Sequence, residues 1–467
     1  MRALSLTAVA ALGLASEAIS AESGAGRIRP WPPNPRFWEY RGKPVLLVGG
    51  SKDDNLFQIP DLREHLDELK AAGGNYIRNT MSDRRDKGFE VYPFRQLPGG
   101  KYDLSQWNEE YWKRFENLLA WTEELEIIVQ IEVWDRFDYS DSGSKNWTNH
   151  PYNPKNNINY THEESGLAAT YTKHPGSNEQ PFFFTVPGLR RNEVVLRHQR
   201  AFVDEMLRRS LKRGNVLYTI DNETSGDPRW AEYWAKHIRK RAEEAGVEVF
   251  VTEMWDDWNL EGPQHRNVLD HPELYTFLDV SQNNHNRGGL HWRRLQWVRA
   301  VVAEKPRPIN CVKIYGADGG RFGSTRDGLE RFWRNLFGGA ASSRFHRPDS
   351  GIGLSEPAKA AIRSFRMLAA EFDFFRAEPD AKGELLSERE ENEAYVTRIP
   401  GEAYAVYFPG GGAVVLDLSG ARGRFALRWL DAGASRWGDP SPIEGGAKVR
   451  LTAPAGGHWV ALVRRAK

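Results

Sequence analysis

Cysteine is nearly absent. Cys311 is the single one in 467 residues, so no disulfide can form within the chain. A large core has to stabilise it without staples. Cys311 lies in the apolar run Pro308–Val312 with no histidine spaced around it as a catalytic partner, and it reads as an inert buried thiol. An excess of either charge is missing too, with 64 Lys and Arg against 63 Asp and Glu. The formal net charge of +1 creates no field that would draw nucleic acid or an anionic membrane. Long apolar runs are missing beyond the first residues, so no later segment is expected to cross a bilayer. No HExxH or comparable metal spacing occurs, and no glycine-rich loop followed by Lys-Ser or Lys-Thr. Neither a metal nor a cofactor is therefore expected, and Gly410-Gly-Gly412 reads as a turn.

The first residues read as a targeting segment. Arg2 gives a positive start, Ala3–Ala15 has the length of a signal-peptide apolar region, and Ala18 and Ser20 offer small residues at a cleavage site. Residues 1–20 are thus expected to be a signal peptide, cleaved from a secreted or periplasmic protein. Aromatics are plentiful, with 17 Trp. Such a supply builds a large core or provides flat platforms for sugar rings.

Past residue 27 a rhythm sets in. Short apolar runs at Pro44–Gly49, Asn75–Asn79, Ile127–Val133, Val216–Ile220, Val247–Thr252, Phe277–Val280, Ile309–Ile314 and Ala340–Phe345 read as strands. Helical periodicity intervenes, as at Asp61–Ala72, where Leu62, Leu66 and Leu69 share a face and Gly73-Gly74 stops the helix. Eight strand–helix repeats predict a (β/α)₈ barrel over 27–377, with its chemistry at the C-terminal ends of the strands. Residues 138–190 break the rhythm as a long polar loop after the third strand, expected to shape the mouth. Beyond Ala377, short strands at Tyr404–Phe408, Val414–Leu418, Phe425–Trp429, Lys448–Leu451 and Trp459–Val463 alternate with Gly- and Pro-rich turns. They predict a small antiparallel β-sandwich over 383–467, with the boundary near 378–383.

The fourth strand ends in Asn222-Glu223, an amide and a carboxylate delivered to a strand tip. With Leu66–Arg78, Phe337–Ala341 and Phe345-His-Arg347, this pair carries a resemblance to the clan of retaining (β/α)₈ glycosidases that includes cellulases, and within it to the apiosidase-like enzymes. The tail resembles the collagen-binding-like domain that often follows such barrels, through Tyr404–Gly411, Leu416–Gly420, Arg428-Trp429 and His458-Trp459. The resemblance implies a glycoside hydrolase acting on a polysaccharide or oligosaccharide. Glu223 would be its proton donor, and Asn222 would bind the hydroxyl beside the anomeric carbon.

Glycoside hydrolysis needs a second carboxylate. The clan places a Glu at the seventh strand, where this chain has Lys313. Glu253, at the tip of the fifth strand and two residues before Trp255, is the preferred substitute. Asp318 comes next, followed by Glu132, for which the alternative is an ion pair with Lys313 or an arginine inside the barrel. Trp134, Asp135, Trp255, Asp256, Asn284, His285, Lys313, Tyr315, His346 and Arg347 lie at strand ends and are expected to line a carbohydrate pocket. The departure at strand seven leaves open a catalytically inactive barrel that binds glycan. The tail's name leaves open an adhesive role, against the plainer reading of a module braced on the barrel. Oligomeric state is left open.

Overall fold

The computed structural model describes residues 26–82, 85, 87–174, 180–316, 320 and 322–466. The expected signal peptide and Asp318 lie outside these residues. Eight strands form the barrel: β1 (Leu47–Gly50), β2 (Tyr76–Thr80), β3 (Ile128–Asp135), β4 (Val216–Asn222), β5 (Val251–Thr252), β6 (Leu278–Asp279), β7 (Ile309–Asn310) and β8 (Ser342–Phe345). Each is followed by a helix: α1 (Leu62–Ala71), α2 (Glu109–Glu124), α3 (Glu193–Ser210), α4 (Pro228–Glu244), α5 (Pro263–Leu269), α6 (Gly288–Val301), α7 (Thr325–Phe337) and α8 (Glu356–Ala369).

Parallel ladders join β2 to β3, β3 to β4, β4 to β5, β6 to β7 and β8 to β1. Backbone bonds cover the remaining seams: Asn75 to Val48 between β1 and β2, Thr276 to Val251 between β5 and β6, and Ala341 to Ile309 and Arg344 to Cys311 between β7 and β8. The sheet is a closed ring with no edge to protect.

Branched apolar residues usually fill such a ring. Here one interior layer is polar. Gln130 donates to Thr219 Oγ1 at 2.8 Å and to Asp279 at 2.9 Å, and Asn310 donates to Tyr76 Oη at 3.0 Å. Below it, a ribbon of three short strands over residues 29–45 seals the N-terminal end. Trp38 is its stopper, edge-on to Phe250 and Phe277, with its indole N–H on Asn310 Oδ1 at 2.9 Å. The long segment after β3 packs upon itself around Tyr139, Trp147, Tyr152 and Phe182, with the Tyr139 and Phe182 rings stacked at 4.1 Å.

The C-terminal region is antiparallel from its first strand. Strand β9 (Glu378–Pro379) already pairs with β11 (Tyr395–Ile399). With β10 (Leu386–Ser387), β12 (Ala403–Phe408), β13 (Ala413–Asp417), β14 (Arg424–Asp431), β15 (Arg436–Trp437), β16 (Ser441–Glu444), β17 (Lys448–Thr452) and β18 (Trp459–Arg465) it forms two antiparallel sheets. The larger runs β9-β11-β12-β18-β14-β15 with β16 beside β14, and the smaller runs β10-β13-β17. Period-two alternation gives β12 two buried faces. Tyr404, Val406 and Phe408 fill the core between the sheets. Ala403, Ala405 and Tyr407 belong to the barrel's core, where Tyr407 stacks on Trp333 of α7 at 5.6 Å.

This shared seam makes the tail a brace. Tyr407→Ala is expected to cost about 3–5 kcal/mol, the usual range for deleting a buried aromatic side chain, read as a drop in unfolding midpoint for the whole chain. A protein truncated after Ala377 is expected to be insoluble or to bind a hydrophobic dye. A soluble, cooperatively folding truncation would disprove the brace.

Candidate active site

At the C-terminal end of the ring the charges stack in a column. Arg78, at the centre of β2, has no solvent exposure. It forms ion pairs with Glu132 of β3, at 2.5 Å, and with Asp54 in the loop after β1. Glu132 is therefore the interior ion pair, not a reactive group. Asp54 also takes Arg347 at 2.9 Å and lies 3.6 Å from His346 Nδ1. Burial holds His346 well below the ordinary histidine range. Asp54 offsets this only in part, and Lys313, Arg78 and Arg347 add to it, so the ring is neutral at neutral pH.

Glu223 sits above this column, one residue past β4. Its backbone is left-handed, with φ at +47°, an uncommon setting for a residue that carries a Cβ. Its carboxylate is 17% exposed and takes Lys313 Nζ at 2.8 Å, Gln282 Nε2 at 2.9 Å and the Tyr315 hydroxyl, all on one oxygen. Burial alone would raise its pKa. The Lys313 charge and the hydrogen bonds from Lys313, Tyr315 and Gln282 outweigh burial and hold it well below the usual carboxylate range. The resting Glu223 is thus a carboxylate and not a protonated acid. The cause is Lys313, which occupies the seventh-strand position expected for a second carboxylate.

The remaining expectations divide. Asn222 donates to Asp135 Oδ1 at 3.2 Å and accepts from Lys313, so these three residues adjoin Glu223. Tyr315 stacks on Phe322 at 4.4 Å, and the His285 and His346 rings meet Tyr315 edge-on at 5.1 and 5.2 Å. Together they form an aromatic wall beside the carboxylate, in which His285 and Phe322 are partly exposed and Tyr315 and His346 are buried. Asp256 is exposed, with its backbone N–H on Thr224 O at 2.7 Å.

Three expected pocket residues are elsewhere. Trp134 turns outward onto Phe202 of α3 and Trp234 of α4, at 5.5 and 5.3 Å. Trp255 is 2% exposed, too enclosed to hold a sugar ring. Asn284 is a brace. Its amide donates to Ser281 O at 2.8 Å and Lys313 O at 2.7 Å, and His291 meets its oxygen at 3.1 Å.

Glu253 is also misplaced for the role of second carboxylate. It is 1% exposed and accepts the backbone N–H of Asp221 at 3.1 Å and of Met254 at 2.7 Å. Burial and the neighbouring Asp221 carboxyl push its pKa well up. Arg136, 3.3 Å from Asp221, braces the pair. Glu253 is a neutral tie between the tips of β4 and β5.

Sequence reading missed Gln282, Asp54 and Arg78 as site residues. The strand-tip rule that selected His285 would have selected Gln282, and the polar run Ser51–Asn55 after β1 would have flagged Asp54. Cys311 is buried, as expected, within reach of the amides of Asn284 and Asn335 at 2.8 and 3.2 Å. Burial pushes its thiol up to about 12. Among the described residues no helix is long and apolar enough to cross a membrane.

A family profile described as Domain of unknown function (DUF6298) matches residues 96–306, a span that holds Glu223 and Gln282 but stops short of Lys313. No curated protein matches the chain. Among solved structures, the chain is similar to a glycoside hydrolase family 5 protein from Bacteroides vulgatus ATCC 8482, with 14% identity, 94% of each chain covered and a TM-score of 0.63. It is also similar to a protein named Glycoside hydrolase, with 13% identity, 95% of this chain and 97% of that chain covered and a TM-score of 0.62. At these identities the likeness establishes a shared fold over both the barrel and the C-terminal sheets.

Two outcomes follow from the electrostatics. Lys313→Met leaves Glu223 enclosed without its cation, at a cost of up to about 3–5 kcal/mol near neutral pH. In the parent, Glu223 has a depressed pKa and stabilises the fold above the ordinary carboxylate pKa, an effect lost as pH falls through its folded value. In the variant burial dominates and the sign reverses, so the stability deficit shrinks toward pH 4 and widens toward pH 8. Melting curves of both proteins across that range check it, and a pH-independent gap would count against it. Separately, Glu253→Gln is expected to cost under about 1 kcal/mol, because the amide oxygen still accepts both N–H groups. Glu253→Ala is expected to cost about 1–3 kcal/mol by leaving them unpaired.

Proposed function

We propose that the chain is an exported glycoside hydrolase that cleaves glycosidic bonds in a polysaccharide or oligosaccharide, with Glu223 carrying the acid–base chemistry. The observation behind this reading is a partly exposed carboxylate at the tip of β4, set among amide, hydroxyl and ammonium groups and beside an aromatic wall. Sugars offer hydroxyls to such groups and C–H faces to such a wall. The likeness of the whole fold to proteins named as glycoside hydrolases supports the same class.

Lys313 sets a condition on the mechanism. At rest Glu223 can accept a proton but has none to give. It donates to a leaving oxygen only once substrate has parted it from Lys313, so that burial raises its pKa and a proton is taken up. Asn222, already bonded to Lys313 and Asp135, would then meet the sugar hydroxyl next to the reacting carbon. Asp318 remains a candidate second carboxylate.

The lysine also favours a second reading, a barrel that binds glycan without cleaving it. One experiment separates the two. The wild type and Glu223→Gln are incubated with soluble xylan, mannan, β-glucan, arabinan and rhamnogalacturonan, with reducing ends and binding measured in parallel. Hydrolysis by the wild type, reduced at least about a hundredfold in a variant that still binds, is the expected result. Saturable binding by both proteins with no reducing ends released selects the second reading. Undiminished turnover by Glu223→Gln removes Glu223 from the chemistry.

A further inference from the structure

Most large apolar side chains here are enclosed, and eight tryptophans are among the fully buried residues. Among the described residues three large apolar side chains are exposed, Ile158, Leu290 and Trp258, and Trp258, in the loop after β5, is the most so at 58%. An exposed indole is informative where the backbone beneath it is fixed, and this one is tied on both sides. Trp258 O accepts from Asn286 Nδ2 at 2.9 Å and from Arg294 Nη1 at 2.7 Å. The Arg294 guanidinium backs the ring, 5.8 Å from its centroid. Asn286 is itself anchored, because its carbonyl accepts from Arg331, which also holds the carbonyl of Tyr315 at 3.0 Å. On the other side, Asp256 N donates to Thr224 O at 2.7 Å and Thr224 N to Met254 O at 2.9 Å.

The loop bearing Trp258 is therefore bonded to the residue after Glu223 and, through Asn286 and Arg331, to Tyr315, which hydrogen-bonds Glu223. Trp258 lies two residues beyond Asp256, a span of at most about 7 Å along the chain. Asp256 is bonded to Thr224, the residue after Glu223, so the indole stands on the same rim of the barrel as the carboxylate.

We propose that Trp258 is a stacking platform for a sugar ring next along the chain from the one held at Glu223, so that the site takes an oligomeric glycan and not a lone sugar. The inference rests on the carbohydrate reading above and adds to it the kind of substrate. An indole face packs against the C–H face of many different sugar rings, so the platform selects for length more than for identity.

The test compares wild type, Trp258→Ala and Trp258→Phe on hexasaccharides and disaccharides of xylose, mannose, β-glucose and arabinose. Stacking contributes equally to ground and transition states, so it moves KM and not kcat. For Trp258→Ala, KM for the hexasaccharide is expected to rise about tenfold, with kcat and the disaccharide KM unchanged, and Trp258→Phe to recover most of the loss. An unchanged hexasaccharide KM, or an equal loss at both lengths, overturns the proposal. If the wild type releases no sugar, calorimetric Kd values for the same ligands replace KM, and the same length-dependent loss supports the platform or its absence overturns it. Failure of the wild type to bind any of these sugars overturns the carbohydrate reading itself, and the platform with it.

Discussion

A guanidinium sealed inside the barrel organises everything above it. Arg78 cannot lose its charge and has no access to water, so carboxylates have to come to it. Asp54 arrives from the loop after β1 and Glu132 from β3. Asp54, once fixed, gathers Arg347 and the neutral His346 from the end of β8. Strands far apart in sequence are thus locked at one height, and the mouth of the barrel has a rigid floor.

Lys313 is the second determinant. In a site built from two carboxylates, repulsion keeps one protonated. Here a cation at the seventh strand holds the fourth-strand carboxylate ionised. The protonation state of Glu223 becomes a property of whatever separates it from the lysine. The other acid considered for this chemistry, Glu253, is neutral for a structural reason, facing Asp221 behind the sheet. Two glutamates at neighbouring strand tips therefore have opposite resting states, set by a lysine beside one and by burial next to an aspartate for the other.

The barrel was legible because its signals are local. Periodicity located all eight strands and seven of the eight helices to within about six residues, missing only the short α5, and turn-rich alternation located the β-region after them. The interior ion pair of Glu132 was also legible, since a charge midway along an apolar strand needs a partner. Side-chain direction at the strand tips was not. Trp134 ends a strand just as Asn222 does, yet packs away from the mouth, and Trp255 is enclosed. The alternation that fixes direction within a strand no longer holds where the strand gives way to a turn. Asn284 and His285 are adjacent, and one braces Lys313 while the other joins the aromatic wall. Trp258 lies outside every strand, and only its exposure distinguishes it.

The polar filling of the ring bears on how the chain can fold. Closure joins β1 to β8, and Arg344 reaches Ser51 across 293 positions of sequence. Contacts that distant form late. Until they do, an open half-ring presents its lumen to solvent. A lumen of leucine and valine would invite association with other unfinished chains. This one presents Gln130, Asn310, Arg78 and Arg344, which water solvates well. The same side chains that must find partners in the finished ring keep the unfinished one dispersed.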